Sequence, residues 1–230
     1  MPGETFVKVT AVLSSPLCGE APQLDGILEL AIAPFHPAGV ALHRVDRNFP
    51  APPAGAVPIP IPRRMVAGWP VARCSSPILG VPSTTTVEHV AKRIEPENAP
   101  LLAPGKARKI VTSNTWTKSY RLPMHVRRVD RVVWFAVGKA SRIRQLLAKG
   151  VPAVGKKRSV GYGAVAEWIV EPWDEDWSWF APSDHGRVLM RPLPIGDHLP
   201  EGLIGFRADF GACVPPYWHP ERYGEIVTPC

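Results

Sequence analysis

The sequence predicts an α+β fold with an antiparallel sheet, and three observations support this prediction. Short runs rich in apolar residues, bounded by glycine or proline, are typical of strands. Two other segments carry apolar residues at the i, i+3, i+4 spacing of an amphipathic helix. Fourteen of the 28 prolines lie between Pro34 and Pro104, which favours extended loops over long helices in that region.

The first strand and the first helix are predicted near the start of the chain. Residues 5–13 (TFVKVTAVL) alternate in part between apolar and polar side chains, which predicts a strand. Residues 23–32 (QLDGILELAI) place apolar side chains at helical spacing, which predicts a helix with one buried face. We expect Pro34 to close this helix, because the residue before a proline disfavours the helical conformation.

A proline-rich insertion, residues 35–105, is expected to follow the helix and to consist mostly of loops. Within it, residues 71–74 (VARC) are compatible with a strand. Residues 84–94 fit a helix or a strand equally well.

Residues 106–128 are predicted to form a two-stranded basic finger with its turn near Ser113 and Asn114, because Thr, Val, Trp and Tyr favour strands. Trp116 and Tyr120 are four residues apart, so in a flat strand both would point to one face, where they could stack on bases. The alternative is a hairpin that packs these aromatic rings on its own sheet. Its cations, with no acid among them, are Lys106, Arg108, Lys109, Lys118, Arg121, Arg127 and Arg128.

The elements predicted after the finger complete a split β-α-β order. Residues 131–137 (RVVWFAV) predict a buried strand, and residues 141–149 (SRIRQLLAK) predict a short helix that Gly150 ends. A glycine-rich loop, residues 155–163, then leads to a strand from Ala164. Strand, helix, excursion, strand, helix, loop and strand is the order of a ferredoxin-like sheet with insertions.

This ferredoxin-like domain is expected to occupy residues 1–171. Residues 172–230 form a C-terminal extension rich in Trp and Pro, which we expect to pack on the same domain.

Positive charge is concentrated in one stretch of the chain. The net charge is +7, but residues 106–158 contain fifteen Lys and Arg against a single acid, Asp130. The remainder of the chain therefore carries twelve bases and nineteen acids, a net charge of −7. This concentration favours a polyanion site over a solvated basic face.

The glycine-rich loop (GKKRSVGYG) places the densest positive charge on the most pliable backbone. Glycines permit positive φ and let backbone N–H groups approach phosphate oxygens closely. The three consecutive cations attract phosphate, and the tyrosine offers a face on which an unpaired base can stack. The alternative is a tight helix-to-strand turn with solvated lysines. The loop residues that could form such an anion site are Gly155, Lys156, Lys157, Arg158, Ser159, Gly161, Tyr162 and Gly163.

Four motifs, taken in order, resemble one known group of proteins. LDGILEL (residues 24–30) after the first strand, and GKKRSVGYGAV (residues 155–165) before the last, resemble the RAMP superfamily of CRISPR-associated RNA-binding proteins. Together with MRPLP (residues 190–194) and PPYW (residues 215–218), they resemble the small RAMP subunit of type IV CRISPR effector complexes, a member of the Cas-five group. Residues 36–105 carry none of this resemblance.

The resemblance implies an RRM-like, ferredoxin-like domain that binds the five-prime handle of the guide RNA. It also implies a subunit that caps the filament of backbone subunits and touches the large subunit of a DNA-targeting complex. The resemblance leaves open whether this subunit also contacts target DNA or a helicase. The resemblance further implies that the glycine-rich loop binds RNA through Gly155, Lys156, Lys157, Arg158, Ser159, Gly161, Tyr162 and Gly163. The basic finger corresponds to the family's thumb by charge and position. Its candidate RNA-binding residues are Arg108, Lys109, Trp116, Lys118, Tyr120, Arg121, Arg127 and Arg128.

An enzyme is the main alternative, because several RAMP relatives cut the guide precursor. Metal-free RNA cleavage needs a general base near the 2′-hydroxyl and a cation to stabilise the transition state. His36 and His43 follow the first helix, where relatives place such a base. Loop histidines are usually surface residues, so we expect a non-catalytic subunit.

A protein-docking module is the third class. Residues 171–180 (EPWDEDWSWF) mix acids with three tryptophans, which form either a docking edge or a cover over the sheet. Tyr217 and Trp218 present the same choice between docking and packing.

Other chemistry is not indicated. The sequence contains no Walker loop, H-E-x-x-H or G-x-S-x-G motif. Its four cysteines have no C-x-x-C spacing, so we expect neither a metal site nor a disulfide framework, and no cofactor. The chain begins without a secretory signal pattern and contains no apolar run of 18 residues, so we expect a soluble cytoplasmic protein without membrane contact.

Overall fold

The computed structural model describes residues 5–36, 55, 57–93 and 118–230. Within these ranges the fold is mixed α+β, with mostly antiparallel sheets and two α-helices, α1 (Leu24–Ile32) and α2 (Ala140–Gly150). The strands are β1 (Phe6–Leu13), β2 (Leu17–Cys18), β3 (Arg63–Val66), β4 (Trp69–Ala72), β5 (Ile78–Leu79), β6 (Thr84–Lys92), β7 (Tyr120–Arg128), β8 (Arg131–Val137), β9 (Val165–Pro172), β10 (Phe180–Ser183), β11 (Gly186–Leu189), β12 (Leu193–Pro194), β13 (Leu203–Ile204), β14 (Phe206–Ala212) and β15 (Tyr223–Pro229).

The central sheet has the strand order β5-β8-β1-β9, and all neighbouring strands are antiparallel. Along the chain, α1 lies between β1 and β5, and α2 lies between β8 and β9. The strands predicted over residues 5–13 and 131–137 are therefore confirmed, as are the two helices. The strand expected from Ala164 begins at Val165.

The two helices form one hydrophobic core with the central sheet. Leu28 of α1 and Leu147 of α2 are fully buried beside Val9 and Trp134 of the sheet. The helices approach closely at Gly150, where an added Cβ would lie 2.9 Å from the Cβ of Ala31. Ile143 and Leu147 of α2 point inward, and Leu146 is partly buried at the margin of the core.

Tryptophans of the C-terminal extension cover β8. The ring centroids of Trp173 and Trp177 lie 5.1 and 4.8 Å from that of Phe135. Trp179 donates its indole N–H to the carbonyl oxygen of Ala72 at 2.8 Å. Packing, rather than a free docking edge, thus describes these three tryptophans.

The described part of the insertion contains more strand than the sequence predicts. β3 and β4 form a hairpin, and β5 joins the edge of the central sheet. β4 ends at Ala72, so it covers only part of the segment 71–74, and Cys74 makes an isolated bridge to Ala136. The segment 84–94, which fits either element by sequence, forms the strand β6.

β6 and β7 form an antiparallel ribbon, which we call the basic ribbon. They pair over their full length, from Thr84 opposite Arg128 to Lys92 opposite Tyr120. The described part of the predicted finger is therefore one strand of a ribbon whose partner strand comes from the insertion. The predicted turn at Ser113 and Asn114 lies outside the described residues.

A second, smaller core lies beneath the C-terminal extension. Leu189, Leu193 and Val227 of the extension are buried together with Val66 and Val71 of the β3–β4 hairpin. The extension and this hairpin thus share one apolar cluster.

A buried polar cluster joins this extension to α1. The side chains of Arg191 and Asp25 are fully buried, with Arg191 Nη2 3.3 Å from Asp25 Oδ2. The Tyr217 hydroxyl donates to Asp25 Oδ1 at 2.7 Å, and Arg191 Nη1 donates to the carbonyl oxygens of Ala72 and Cys74. Three of the four motifs, LDGILEL, MRPLP and PPYW, therefore meet in one buried network.

The charges in this cluster stabilise one another. Burial alone would lower the pKa of Arg191, but the Asp25 carboxylate raises it above its usual range. Burial also raises the pKa of Tyr217, and the Asp25 charge adds to the effect. Arg191 is therefore charged and Tyr217 is neutral at physiological pH.

Candidate nucleic-acid interface

The glycine-rich loop connects α2 to β9 and is held against β2 at both ends. The backbone N–H of Lys156 donates to the carbonyl oxygen of Cys18, and that of Gly163 donates to Pro16, each at 2.8 Å. The N–H of Val154 donates to the Gly163 carbonyl at 2.8 Å. Between these anchors, Arg158, Ser159 and neighbouring side chains are exposed.

The three glycines of this loop have different roles. Gly155 and Gly163 have positive φ and are tightly packed: an added Cβ would lie 2.7 Å from Leu17 Cδ1 at Gly155 and 1.9 Å from Val154 O at Gly163. Gly161 also has a positive φ of 99°, but no atom lies within 4 Å of an added Cβ. Gly155 and Gly163 therefore allow the close packing that holds the two ends of the loop, and Gly161 lies at its exposed tip.

The tip of the loop combines cations with available backbone donors. Lys157 has left-handed backbone angles (φ 57°, ψ 32°) and precedes a 3-10 turn, Arg158–Val160. The N–H groups of Arg158 and Ser159 make no hydrogen bond within the described part of the chain, because the first residues of a helical turn have no acceptor in it. Consecutive donors that follow a left-handed residue form a concave anion site.

The glycine-rich loop contacts the basic ribbon. The Lys157 ammonium lies 5.0 Å from the centroid of the Tyr120 ring and 3.4 Å from its hydroxyl oxygen. The Tyr162 hydroxyl donates to Glu88 Oε2 at 2.5 Å, and this hydrogen bond raises the pKa of Tyr162. Residues from the loop and from both ribbon strands thus lie side by side on one surface.

Strand geometry separates other candidate residues from this surface. Side chains alternate along a strand, so Arg121 and Arg127 point to the ribbon face opposite Tyr120. Arg127 lines a cavity of about 300 Å³ beside Glu20 and Gln23. Arg128 shares the ribbon face of Tyr120 by the same alternation, but it lies at the opposite end of β7, where it lines another cavity of about 420 Å³.

Of the remaining candidates, one lies just before β7 and three lie outside the residues that the structure describes. Lys118 is exposed just before β7. Arg108, Lys109 and Trp116 lie outside the described residues.

The histidines of the enzyme alternative are only partly described. His36 is the C-cap of the 3-10 turn Ala33–Phe35 that continues α1, and His43 lies outside the described residues. Across the described ranges, no group of three or more His, Cys, Asp or Glu side chains is arranged to hold a metal ion. Cys18, Cys74 and Cys213 are buried free thiols.

Sequence reasoning missed two parts of this interface. Glu88, the partner of Tyr162, lies on the strand that the sequence left undecided. β2, which anchors the loop, is only two residues long and has no periodicity to detect. The β-branched residues of TTTV (residues 84–87) are the one signal that favours β6 as a strand.

None of the helices within the described ranges is long and apolar enough to cross a membrane. A search of curated proteins found no match to the chain. The family model described as CRISPR type IV associated protein Csf3 matches residues 85–229. The matched region extends from β6 to the end of β15, and it includes the whole described interface except β2.

Proposed function

Because the chain belongs to the Csf3 family of type IV CRISPR-associated proteins, we propose that it is the subunit of the effector complex that binds the guide RNA without cutting it. It holds the five-prime handle, caps one end of the backbone filament and contacts the large subunit. Base pairing by the guide reads the target sequence, while this protein holds the RNA backbone and its end. The observation that carries the proposal is the contact between the glycine-rich loop and the basic ribbon.

The chemistry of this surface suits single-stranded RNA. Lys156 and Arg158 are exposed beside the N–H groups of the 3-10 turn that have no acceptor among the described residues, and together these groups suit phosphate oxygens. Tyr120 and Tyr162 are half-buried beside them, and aromatic rings stack on unpaired bases without regard to sequence. Phosphate binding and base stacking are therefore available within one surface.

The strand order of the central sheet supports an RRM-like domain. The open face of this sheet, however, is covered and does not suit RNA binding in the way RRM domains use it. The order β5-β8-β1-β9, with one helix between β1 and β5 and one between β8 and β9 along the chain, supports the proposal of a ferredoxin-like split β-α-β. RRM domains stack bases on aromatic residues of the open sheet face. Here Trp173 and Trp177 cover Phe135 on that face, so the RNA is held by the loop and the ribbon instead.

Alanine substitution of the loop cations tests the proposal. In the triple variant Lys156→Ala, Lys157→Ala, Arg158→Ala, we expect weaker binding of guide RNA and a shallower dependence of log affinity on log salt concentration. Each lost phosphate contact lowers the slope by roughly 0.7 for single-stranded RNA, because fewer counterions are released. Fluorescence anisotropy over a salt series measures both quantities.

The matched control removes the same number of positive charges from α2 and its N-cap residue, Lys139. In Lys139→Ala, Arg142→Ala, Lys149→Ala, all three positions are exposed, and we expect the affinity and the slope to change little. Equal losses in the two variants would mean that binding follows net charge alone. If the folded loop variant kept the slope of log affinity against log salt concentration, the loop would be only a turn between α2 and β9 and would not contact RNA.

The non-catalytic part of the proposal is tested with a guide precursor. We expect the precursor to stay intact when it is incubated with the isolated protein. Cleavage that disappears in His36→Ala or His43→Ala would instead establish the endoribonuclease alternative.

A further inference from the structure

One face of the C-terminal sheet β12-β15-β14 exposes apolar side chains around a carboxylate. Phe210 of β14 lies opposite Glu225 of β15, and the N–H of Ile195, just after β12, donates to the Glu225 carbonyl oxygen at 3.4 Å. Side chains of opposite residues, and of residues two apart along a strand, point to the same face. We call this face the aromatic patch; its exposed members are Ile195, Phe206, Phe210, Tyr223 and Glu225.

The backbone brings the carboxylate and two of the rings close together. Because the Glu225 carbonyl faces Ile195, Phe210 and Glu225 form a non-hydrogen-bonded pair, in which the two side chains approach most closely. Their Cβ atoms are therefore about 5 Å apart. The centroid of the Phe210 ring lies 6.2 Å from that of Tyr223. Two exposed aromatic rings thus flank one carboxylate.

The carboxylate in the aromatic patch lacks a cation. Glu225 is exposed and forms no ion pair with any residue that the structure describes. The C-terminal extension carries nine acids and four Arg, a net charge of −5. Arg191 and Arg222 are buried. Arg187 lies on β11, and Arg207 points to the opposite face of β14. The patch therefore attracts a positive group and repels phosphate.

A guanidinium group suits these side chains best. Arginine stacks on aromatic faces within about 6 Å of the ring centroid, and it is less strongly hydrated than lysine. Its planar donors also match the two oxygens of a carboxylate such as Glu225. Exposed apolar patches with a polar rim mark protein interfaces, where arginine and aromatic residues supply much of the binding energy. A protein surface that presents an arginine among apolar residues therefore fits this face.

The edge of β14 contributes less than its face. Because Phe210 is not hydrogen-bonded to Glu225, its N–H points to the outer edge of the sheet. Asp209 Oδ1 accepts a hydrogen bond from this N–H at 2.8 Å. A capped N–H opposes the addition of a further strand, so we expect recognition through side chains.

We propose, on the basis of the proposed role in an effector complex, that the aromatic patch binds an arginine on the surface of another protein subunit of that complex. The guanidinium stacks against Phe210 and Tyr223 and pairs with Glu225. Apolar residues beside this arginine cover Ile195 and Phe206. The acidic charge of the extension guides the basic partner to the patch and excludes RNA from it.

Site-specific cross-linking in the assembled complex tests this proposal. A photoreactive benzoylphenylalanine replaces Ala208, which is exposed between Phe206 and Phe210 on the patch face. The full chain is assembled with guide RNA, backbone subunit and large subunit. We expect cross-links to one arginine-containing segment of a protein subunit, identified by peptide mapping. The same group at Arg207, exposed on the opposite face of β14, should not reach that segment.

Three outcomes of this experiment would overturn the proposal. Cross-links from position 208 to nucleic acid would show that the acidic extension does not exclude RNA. Cross-links to this chain itself, or to a segment without arginine, would assign the patch to a different occupant. The absence of cross-links to any subunit would show that the patch stays exposed in the complex.

A charge reversal supplies an independent readout. We expect Glu225→Lys to raise the Kd for the cross-linked subunit at least about tenfold, because like charges are brought together. The matched control is Asp184→Lys in the turn between β10 and β11, which makes the same change of charge at an exposed position and should alter the Kd less than about twofold. Replacing the contacted arginine of the subunit by glutamate should restore binding to Glu225→Lys. An unchanged Kd in Glu225→Lys would refute the proposal.

A second variant isolates the aromatic contribution. Phe210→Leu keeps an apolar side chain but removes the ring, and we expect it to raise the same Kd roughly threefold. A Kd equal to that of the unsubstituted protein would show that no cation stacks on this ring. Glu225→Lys and Asp184→Lys should have equal affinities for guide RNA, so failure here is distinguishable from failure of the proposed RNA-binding function.

Discussion

The buried polar cluster and the glycine-rich loop use similar residues in opposite ways. Arg191 is fully buried, and its guanidinium bonds to protein carbonyls and to Asp25. Lys156 and Arg158 are exposed and direct their charge to solvent. Three of the four family-like motifs lie in the cluster and stabilise the fold, whereas the fourth, the glycine-rich loop, lies on the surface for which we propose RNA binding. A cationic motif therefore shows its role through its burial and partners, not through its residue types.

The largest effect is expected from Arg191→Met in the buried cluster. This change leaves the Asp25 charge buried without its cation and leaves several carbonyl groups without a donor. Breaking one side of a buried ion pair costs about 3–5 kcal/mol, and we expect the free energy of unfolding to fall by about that amount. Urea denaturation measures it.

The matched control for this variant is Arg207→Met. Arg207 lies on the surface with Asp209 at 3.7 Å, and exposed pairs contribute about 0–1 kcal/mol. In Arg191→Met combined with Asp25→Leu, part of the lost stability should return, because no buried charge remains unpaired. A small effect of Arg191→Met would contradict the stabilising role of the cluster.

A pH effect is expected next, from the buried carboxyl of Glu29. Burial raises the pKa of Glu29 from its ordinary value of 4.5 to about 7. The Arg63 guanidinium, whose Nη2 lies 2.6 Å from Glu29 Oε1, opposes this rise but does not cancel it. Between these values the folded protein binds more protons than the unfolded chain, so the free energy of unfolding falls as pH rises from about 4.5 to about 7. A difference of this size corresponds to about 3 kcal/mol at most.

Comparison with Glu29→Gln isolates this carboxyl from all other titrating groups. The variant should lose the extra decline in stability between pH 5 and 7.5, measured by urea denaturation at each pH. Parallel curves for the two proteins would show that Glu29 titrates near its ordinary pKa. Glu29 belongs to the same LDGILEL motif as Asp25, so this effect should appear in stability and not in RNA affinity.

A smaller contrast is expected within the glycine-rich loop itself. Gly163→Ala places a Cβ 1.9 Å from Val154 O, and overpacking of this kind costs roughly 1–3 kcal/mol in addition to the strain at positive φ. Gly161→Ala meets no neighbour and should cost about 1 kcal/mol from backbone strain alone. Thermal melts measure the difference. Equal losses would mean that the anchors and the tip of the loop are not distinct.

Local patterns predict the elements of the central fold but not the contacts between distant segments. β1, β8 and both helices follow from apolar spacing over ten residues or fewer. The pairing of β6 with β7 joins Thr84 to Arg128 across a connection whose local pattern does not specify the register. Arg191 and Asp25 are 166 residues apart, and a buried arginine is an exception to hydropathy.

In the candidate interface, too, local sequence patterns predict the backbone of the loop but not its contacts with distant segments. The three positive φ values of its glycines agree with the local chemistry of the GKKRSVGYG segment. The contacts of Lys157 with Tyr120 and of Tyr162 with Glu88 depend on the ribbon, so no local pattern could have predicted them.

The smallest expected effect lies at Lys157, where stability and binding should change in opposite directions. Lys157 has positive φ, a conformation that costs an L-residue roughly 1 kcal/mol and costs glycine little. We therefore expect Lys157→Gly to raise the free energy of unfolding by about 0.5–1 kcal/mol, while it weakens guide-RNA binding through loss of the cation beside Tyr120. The matched control is Lys156→Gly: Lys156 does not have positive φ, so glycine there should lower stability by roughly 0.5–1 kcal/mol through its greater backbone entropy when unfolded. Because both variants remove one positive charge, a difference in their stability, measured by urea denaturation, reports the backbone strain at Lys157. Fluorescence anisotropy with guide RNA measures the effect of each variant on binding. A loss of stability in Lys157→Gly would show that the lysine side chain supports the loop, and the contrast between a stabilising cluster and a binding surface would then fail at this residue.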